Sequence, residues 1–308
     1  MGIISKVYID KFVCRYDKEV GVPYYSYEDF KGLQQEEYSF NNSKGIEIHY
    51  FFYYYDKYKE DKIVIFLPGM GPGHSSYMAE IETLAKRGYK VLTLDYTGCG
   101  YSKGKYLGAM NAPTRDTMDL LDHLKLDKEL ILVGHSLGGF TALKVLSLRQ
   151  EINKAVVMSP IITIESMVIK AAKSKFITKG VLRYERKVEK EYDLIDVPLF
   201  LKNTTDSILF IQSVDDPLVL YETSLKIAEE THNPHIQIIK MEGRKHNPNY
   251  TKAAVNYMNE VFGDFNRLTM NKKITNDEER IAYFKDVSLA RLTEQDQDLF
   301  DKIVAFIN

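Results

Sequence analysis

Short apolar runs alternate with amphipathic segments through most of this chain. The runs predict strands at residues 62–67, 91–94, 130–133, 155–158, 208–211 and 236–239. Apolar residues at helical spacing predict helices at residues 75–87, 114–124, 137–148, 223–230 and 251–262. Strands without internal polar alternation are typical of a sheet buried on both faces. The pattern therefore predicts an α/β fold with a mostly parallel sheet and helices on both faces.

The ends of the chain and one internal segment depart from this alternation. Residues 37–40 and 45–54 predict a hairpin, whereas residues 1–33 predict no definite element. Residues 161–198, called here the insertion, predict a helical lid within the domain. Residues 263–308 predict a C-terminal helical extension, with a capping box from Thr293 to Asp296 before its last helix. We expect a single domain over residues 1–308.

Composition narrows the functional class. The 308 residues are 44% hydrophobic and 27% charged, with a net charge of −2, as in ordinary globular proteins. So small a net charge argues against nucleic-acid binding. No apolar run reaches the roughly 18 residues of a membrane span, and the N-terminus lacks a signal-peptide core. Two cysteines and no metal-binding motif lead us to expect a cytoplasmic protein without cofactor, metal or stable membrane insertion. The pattern predicts no particular oligomeric state.

Residues 134–139 (Gly-His-Ser-Leu-Gly-Gly) connect a predicted strand to a predicted helix. A Gly-x-Ser-x-Gly sequence in this context is typical of a sharp turn that exposes a nucleophilic serine, here Ser136. Glycines at positions 134 and 138 avoid side-chain collisions in such a turn. At the start of the helix, Leu137 would present a free N–H to an oxyanion on the substrate. The alternative interpretation is a glycine-rich turn with an incidental serine.

Two other segments accompany this turn. They are residues 68–71 (Pro-Gly-Met-Gly) and residues 95–102 (Asp-Tyr-Thr-Gly-Cys-Gly-Tyr-Ser). With the serine turn, they resemble the α/β-hydrolase superfamily over residues 34–262, and more narrowly its monoacylglycerol-lipase-like and serine-aminopeptidase-like branch. The resemblance implies that Met70 supplies a second oxyanion N–H and that residues 95–102 are structural. Pro68 stands where the family usually has histidine.

The resemblance also implies the order nucleophile, acid, histidine along the chain. Of the seven histidines, only His246 follows the last predicted strand, and its Gly-x-x-His loop is similar to the family's histidine loop. His135 lies inside the serine turn and is expected to point away from Ser136. For the acid, the loop after strand 208–211 aligns with the family's loop at Asp216, and Asp215 is the alternative one residue earlier.

These residues predict a serine hydrolase that cleaves a carboxylic ester with a short to medium acyl chain through an acyl-enzyme. A lysophospholipid or a monoacylglycerol would fit as the small-molecule acyl substrate. Alternatives are an acyltransferase, a thioesterase or a small-peptide hydrolase, because the substrate of each presents a carbonyl to the same catalytic groups. The most distant alternative is a non-catalytic binding protein on this fold.

The insertion combines apolar positions with several basic residues, including Lys170, Lys173 and Lys175. Its apolar positions could line an acyl pocket. The lysines could meet a carboxylate or phosphate on the substrate, or they could form a solvated face of the lid. The second interpretation is the simpler one, since charged runs on helices usually face water.

Overall fold

The computed structural model describes residues 2–308, which form a central eight-stranded sheet with helices packed on both faces. The strands are β1 (Gln34–Asn41), β2 (Glu47–Tyr54), β3 (Lys62–Leu67), β4 (Lys90–Leu94), β5 (Glu129–His135), β6 (Lys154–Met158), β7 (Ser207–Ser213) and β8 (Ile236–Met241). The helices are α1 (Ile3–Lys11), α2 (Met78–Lys86), α3 (Ala112–Leu124), α4 (Leu137–Leu148), α5 (Ile164–Ala172), α6 (Lys175–Val188), α7 (Lys190–Asp193), α8 (Val197–Asn203), α9 (Leu225–Glu230), α10 (Lys252–Met270), α11 (Asp277–Phe284), α12 (Leu289–Leu292) and α13 (Gln297–Ile307).

The sheet has the strand order β1-β2-β4-β3-β5-β6-β7-β8. Strands β3 to β8 are parallel, and the β1–β2 hairpin is antiparallel, with Gln34 opposite Tyr54. The predicted fold class is therefore confirmed. Because β3 lies between β4 and β5, the loops after β3 and β5 meet where the strand order reverses, which is where ligand sites of open parallel sheets form.

Successive side chains of each strand point alternately into two apolar cores, one on either face of the sheet. On β3, Ile63 and Ile65 point into the core that α3, α4 and the insertion cover, whereas Val64 and Phe66 point into the core under α2 and α13. A strand buried on both faces needs apolar residues at every position, which explains the unbroken runs in the sequence.

The insertion forms helices between β6 and β7. Thr163 and Ser174 cap α5 and α6, each accepting a hydrogen bond from a backbone N–H of the first turn. Glu189, at the end of α6, is buried against Arg115 and also pairs with Lys44. The last of these helices, α8, continues to Asn203, beyond the predicted boundary at residue 198.

The C-terminal region differs from the expectation at two places. The helix predicted to stop at residue 262 continues as α10 to Met270, since Phe265 is buried one turn after Val261 and extends the apolar face. The predicted capping box is wrong. Thr293 follows α12, and Asp296 itself caps α13 by accepting a hydrogen bond from the N–H of Leu299.

The N-terminal residues 2–33, for which the sequence predicted no element, contain α1 and a 3-10 turn at Tyr27–Asp29. Helix α1 buries only Tyr8 and Ile9, and it packs beside α6 of the insertion. Across the described residues, none of the helices combines the length and apolar character that crossing a membrane requires.

Candidate active site

The serine turn joins β5 to α4 at the C-terminal end of β5. Ser136 has φ 55° and ψ −114°, a conformation that costs free energy for any residue with a side chain. The turn closes tightly, because a Cβ at position 138 would collide with the carbonyl oxygen of Leu67 on β3. The N–H of Ser136 donates to the carbonyl of Met158 at 2.9 Å, which fixes the turn against β6. The half-buried Ser136 is therefore held in a strained and defined position.

Asp216 and His246 meet on the loops after β7 and β8. His246 Nδ1 lies 2.8 Å from Asp216 Oδ2, and the carboxylate is completely buried. The other oxygen, Oδ1, accepts hydrogen bonds from the N–H groups of Leu218 and Val219 at 2.8 and 3.0 Å. These two backbone donors orient the carboxylate so that Oδ2 faces the imidazole, which leaves His246 Nε2 free to accept a proton.

Asp215, the alternative candidate for the acid, makes different contacts in the structure. Its carboxylate accepts from the Ser213 hydroxyl and the Gly243 N–H, and it pairs with Lys245 Nζ at 3.0 Å. Partial burial opposes ionisation, but the hydrogen bond from Ser213 and the ion pair outweigh it and lower the pKa of Asp215 to about 2. Asp215 therefore ties the β7 loop to the histidine loop and makes no hydrogen bond to His246.

His135 is the residue of this site whose role the sequence did not indicate. Its ring packs against the ring of His246, with centroids 4.8 Å apart, and its Nε2 lies 2.7 Å from the His246 carbonyl oxygen. Its Nδ1 lies 2.9 Å from the Tyr77 hydroxyl. Burial, reinforced by the neighbouring His246, lowers the pKa of His135 to about 3, so that the ring is neutral. A neutral ring fits this pair of contacts by accepting from Tyr77 and donating to His246.

The loop 68–71 passes close to Ser136. A Cβ added to Gly69 would lie 3.4 Å from Ser136 Cβ and would collide with the Tyr77 hydroxyl. The Tyr96 hydroxyl donates to the Pro68 carbonyl at 3.1 Å and holds the start of this loop. Met70 therefore directly follows a residue that packs close to Ser136, and Leu137 is the first residue of α4.

The expected structural segment 95–102 supports this loop from behind. Asp95 accepts hydrogen bonds from the N–H groups of His74 and Tyr101, at 2.8 and 2.9 Å, and is completely buried. The Ser102 hydroxyl donates to the Asp95 carbonyl at 2.6 Å. These contacts stay within the loops behind the site, and none of them involves Ser136 or His246.

The structure does not join all three candidate catalytic side chains. Among residues 2–308, no hydrogen bond connects Ser136 Oγ with His246. Hydrogen bonds between catalytic groups are often long until the substrate binds, so the lack of this bond does not exclude proton transfer between the two residues. The same described residues contain no cluster of three or more His, Cys, Asp or Glu side chains arranged to hold a metal ion.

One of the insertion's lysines is engaged beside the site. Lys170 Nζ donates to the carbonyl oxygens of Pro217 and Leu218, the latter at 2.8 Å, so it connects α5 to the loop that carries Asp216. Lys173 and Lys175 are exposed at the junction of α5 and α6. The three lysines therefore do not form one anion-facing cluster.

A family model described as serine aminopeptidase S33 matches residues 58–197. Among curated proteins, a candidate chloroplastic methylesterase of Arabidopsis thaliana is 30% identical over 80 residues. That match covers 25% of this chain and only 23% of the Arabidopsis protein.

Solved structures share the fold over most of the chain. An esterase of Pyrococcus furiosus matches with a TM-score of 0.58 at 20% identity, covering 84% of this chain and 96% of that one. A Butyrivibrio proteoclasticus protein with ferulic acid bound matches with a TM-score of 0.53 at 22% identity, covering 73% and 96%. Mouse alpha/beta hydrolase domain-containing protein 10 matches with a TM-score of 0.52 at 19% identity, covering 75% and 98%. The chain therefore has the fold of these hydrolases, and its residues 58–197 are similar to the serine aminopeptidase S33 family.

Proposed function

We propose that this protein is a serine hydrolase that cleaves carboxylic esters through an acyl-enzyme on Ser136. The observation that carries the proposal is the buried Asp216 carboxylate, hydrogen-bonded to His246 at the sheet edge where Ser136 occupies a strained turn. Serine needs a base to be nucleophilic near neutral pH, and that base needs a group that orients it. The esterases among the similar proteins agree with an ester as substrate.

In the first step, Ser136 Oγ attacks the ester carbonyl carbon while its proton passes to His246 Nε2. The buried Asp216 stabilises the imidazolium that results. The N–H groups of Leu137 and Met70 would hold the oxyanion of the tetrahedral intermediate. His246 then returns the proton to the departing alcohol, which leaves the acyl group on Ser136.

In the second step, water attacks the acyl-enzyme and gives a proton to His246. Collapse of the second tetrahedral intermediate transfers that proton to Ser136 Oγ and releases the carboxylic acid. The enzyme returns to its starting state without any external co-reactant.

The test is fluorophosphonate labelling of the wild type, Ser136→Ala and Ser147→Ala, combined with hydrolysis of p-nitrophenyl esters from acetate to palmitate. Ser147 lies on α4 and donates only to the Lys144 carbonyl, so its removal is a matched control. We expect wild type and Ser147→Ala to label and hydrolyse, and Ser136→Ala to lose turnover by a factor on the order of 10³–10⁶. Normal turnover by Ser136→Ala would refute the proposal.

A further inference from the structure

The N-terminal helix α1 is tied to α6 of the insertion by close packing and by one buried hydrogen bond. A Cβ added to Gly180 would lie only 2.9 Å from Ile4 Cδ1, so the Ile4 side chain packs directly on the glycine of α6. The Tyr8 hydroxyl donates to Glu185 Oε1 at 2.6 Å. Glu185 also accepts from the N–H of Met110 at 2.8 Å, which anchors both helices to the core. Helix α1 is thus a fixed part of the insertion's packing.

A cavity of about 310 Å³ lies between α1, α5 and α6. Helix α1 contributes Ile4 and Val7 to its wall, while α5 contributes Met167 and Val168. Its volume is at the lower end of the range of small-molecule sites, roughly 300–1,000 Å³, and fits one slender chain better than two.

The chemistry of the wall is apolar throughout. Among the described residues that line it, the Tyr8 hydroxyl is the only polar side-chain group, and its proton is already donated to Glu185. None of these described lining residues carries a carboxylate, ammonium or guanidinium side chain. Three methionines line the cavity, namely Met70, Met110 and Met167, and their flexible side chains adapt to ligands of different shape. Such a wall favours a hydrocarbon chain, because a polar ligand would lose its hydration without gaining partners.

The cavity reaches the candidate active site through Met70. Met70 lines the cavity, and a Cβ added to the adjacent Gly69 would lie 3.4 Å from Ser136 Cβ. We infer that a hydrocarbon chain lying in the cavity with its carboxyl end at Met70 directs its carbonyl carbon toward Ser136. Neither Ser136 nor His246 lines the cavity itself, as expected for a pocket that holds the chain and not the reacting group.

We propose that α1 and the insertion form a pocket for a single unbranched acyl chain of medium length, and that α1 sets the length accepted. This inference rests on the proposed ester hydrolysis and names its substrate class as esters with one such chain. Within the capacity of the pocket, kcat/KM rises about fourfold per added methylene, the equivalent of burying each CH₂. Beyond that capacity, the chain has to leave the apolar wall and kcat/KM falls.

Two variants change the pocket in opposite directions. Val168→Phe fills it from α5 and lowers the ratio of kcat/KM for p-nitrophenyl decanoate to that for the acetate by at least tenfold. Ile4→Ala enlarges it from α1 and moves the preferred chain length upward by one or two carbons. Asp10→Asn, on the exposed side of α1, is the matched control and leaves the profile unchanged. Thermal unfolding of each variant verifies that it is folded.

A binding measurement separates this inference from the proposed function. Ser136→Ala is titrated calorimetrically with 1-monodecanoylglycerol below its aggregation concentration, with and without Val168→Phe. Binding that Val168→Phe weakens at least tenfold supports the pocket even if wild-type Ser136 fails to react with fluorophosphonate, which would refute only the hydrolysis. Normal labelling and hydrolysis with one chain-length profile for all variants, and unaltered binding, would overturn the pocket and leave the hydrolase standing.

Discussion

Two regions of the molecule depend on buried carboxylates. One is the site edge, which consists of the loops after β3, β5, β7 and β8. The other is the insertion together with α1. At the site edge, Asp216 takes its backbone donors from Leu218 and Val219, two and three residues away. In the insertion, Glu185 takes its donors from Tyr8 and Met110, 177 and 75 residues away. A turn therefore builds the first carboxylate site locally, whereas the second exists only after distant parts of the chain have packed together.

The largest effect is expected at the local carboxylate. Asp216→Asn should lower kcat by a factor on the order of 10⁴, because an amide cannot hold the imidazole in the right tautomer or stabilise its charge. Asp215→Asn, one residue away, should lower kcat less than tenfold, since Asp215 contacts Lys245 and not His246. Steady-state ester hydrolysis distinguishes the two. A larger loss of kcat in Asp215→Asn than in Asp216→Asn would assign the role of the acid to Asp215.

The distant carboxylate should matter for stability. Glu185→Ala leaves the Tyr8 hydroxyl and the N–H of Met110 buried without acceptors, which should reduce the free energy of unfolding by about 3 kcal/mol. Glu165→Ala, exposed on α5, is the control. Urea denaturation measures both. Equal stability of the two variants would mean that the insertion does not depend on Glu185.

A third buried carboxylate, Glu80 on α2, accepts from Asn249 at 3.0 Å but leaves Oε2 without a partner among the described residues. Burial raises its pKa from 4.5 to about 7. The native state therefore keeps a proton that the unfolded chain releases between pH 4.5 and 7, so the free energy of unfolding falls across this window and levels off above it.

Glu80→Gln should remove this decrease in the free energy of unfolding between pH 4.5 and 7, which amounts to at most about 3 kcal/mol. Urea denaturation at pH 5, 6, 7 and 8 checks it, with exposed Glu60→Gln as the control. Parallel pH curves for the wild type and Glu80→Gln would show that Glu80 ionises normally.

The contact between Tyr77, His135 and His246 connects two parts of the site edge. Tyr77→Phe removes the hydroxyl that contacts His135 and should lower kcat about tenfold with little change in KM, because a slightly misplaced base slows proton transfer. Tyr38→Phe, on an exposed side chain of β1, provides the comparison. If KM rose while kcat stayed constant, Tyr77 would act on substrate binding and not on the base.

The smallest effect is expected at the insertion's exposed lysines. Replacing Lys173 and Lys175 by glutamine should change the preference between a negatively charged and a neutral ester less than twofold, since solvent screens both groups. Lys170→Met should lower kcat a few-fold, because Lys170 holds the loop of Asp216. A strong loss of preference for the charged ester in the double variant would restore the anion-binding interpretation.

The sequence predicted the sheet closely because each strand, buried on two faces, is a continuous apolar run. It placed Ser136 and His246 on loops that the structure brings to one edge, since parallel strands end on the same side. It could not choose firmly between Asp215 and Asp216, because that choice depends on which carboxylate the turn directs inward. The hydrogen bond in the structure falls on Asp216.

Helix α1 and the contacts of His135 were not predicted, because their partners are remote in the sequence. Helix α1 has only two buried residues, and its partner Glu185 lies far along the chain, so no local periodicity marks it. His135 follows the strand pattern, but its neighbours Tyr77 and His246 come from other loops. Side chains whose partners are remote in sequence need the folded chain to be recognised.

The strained backbone of Ser136 has a practical consequence for engineering. A positive φ costs a side-chain-bearing residue roughly 1–3 kcal/mol, and glycine largely avoids this cost. A library of variants screened for heat resistance alone should therefore enrich Ser136→Gly, a protein without its proposed nucleophile. Any thermostabilisation campaign on this protein has to score turnover of esters alongside survival.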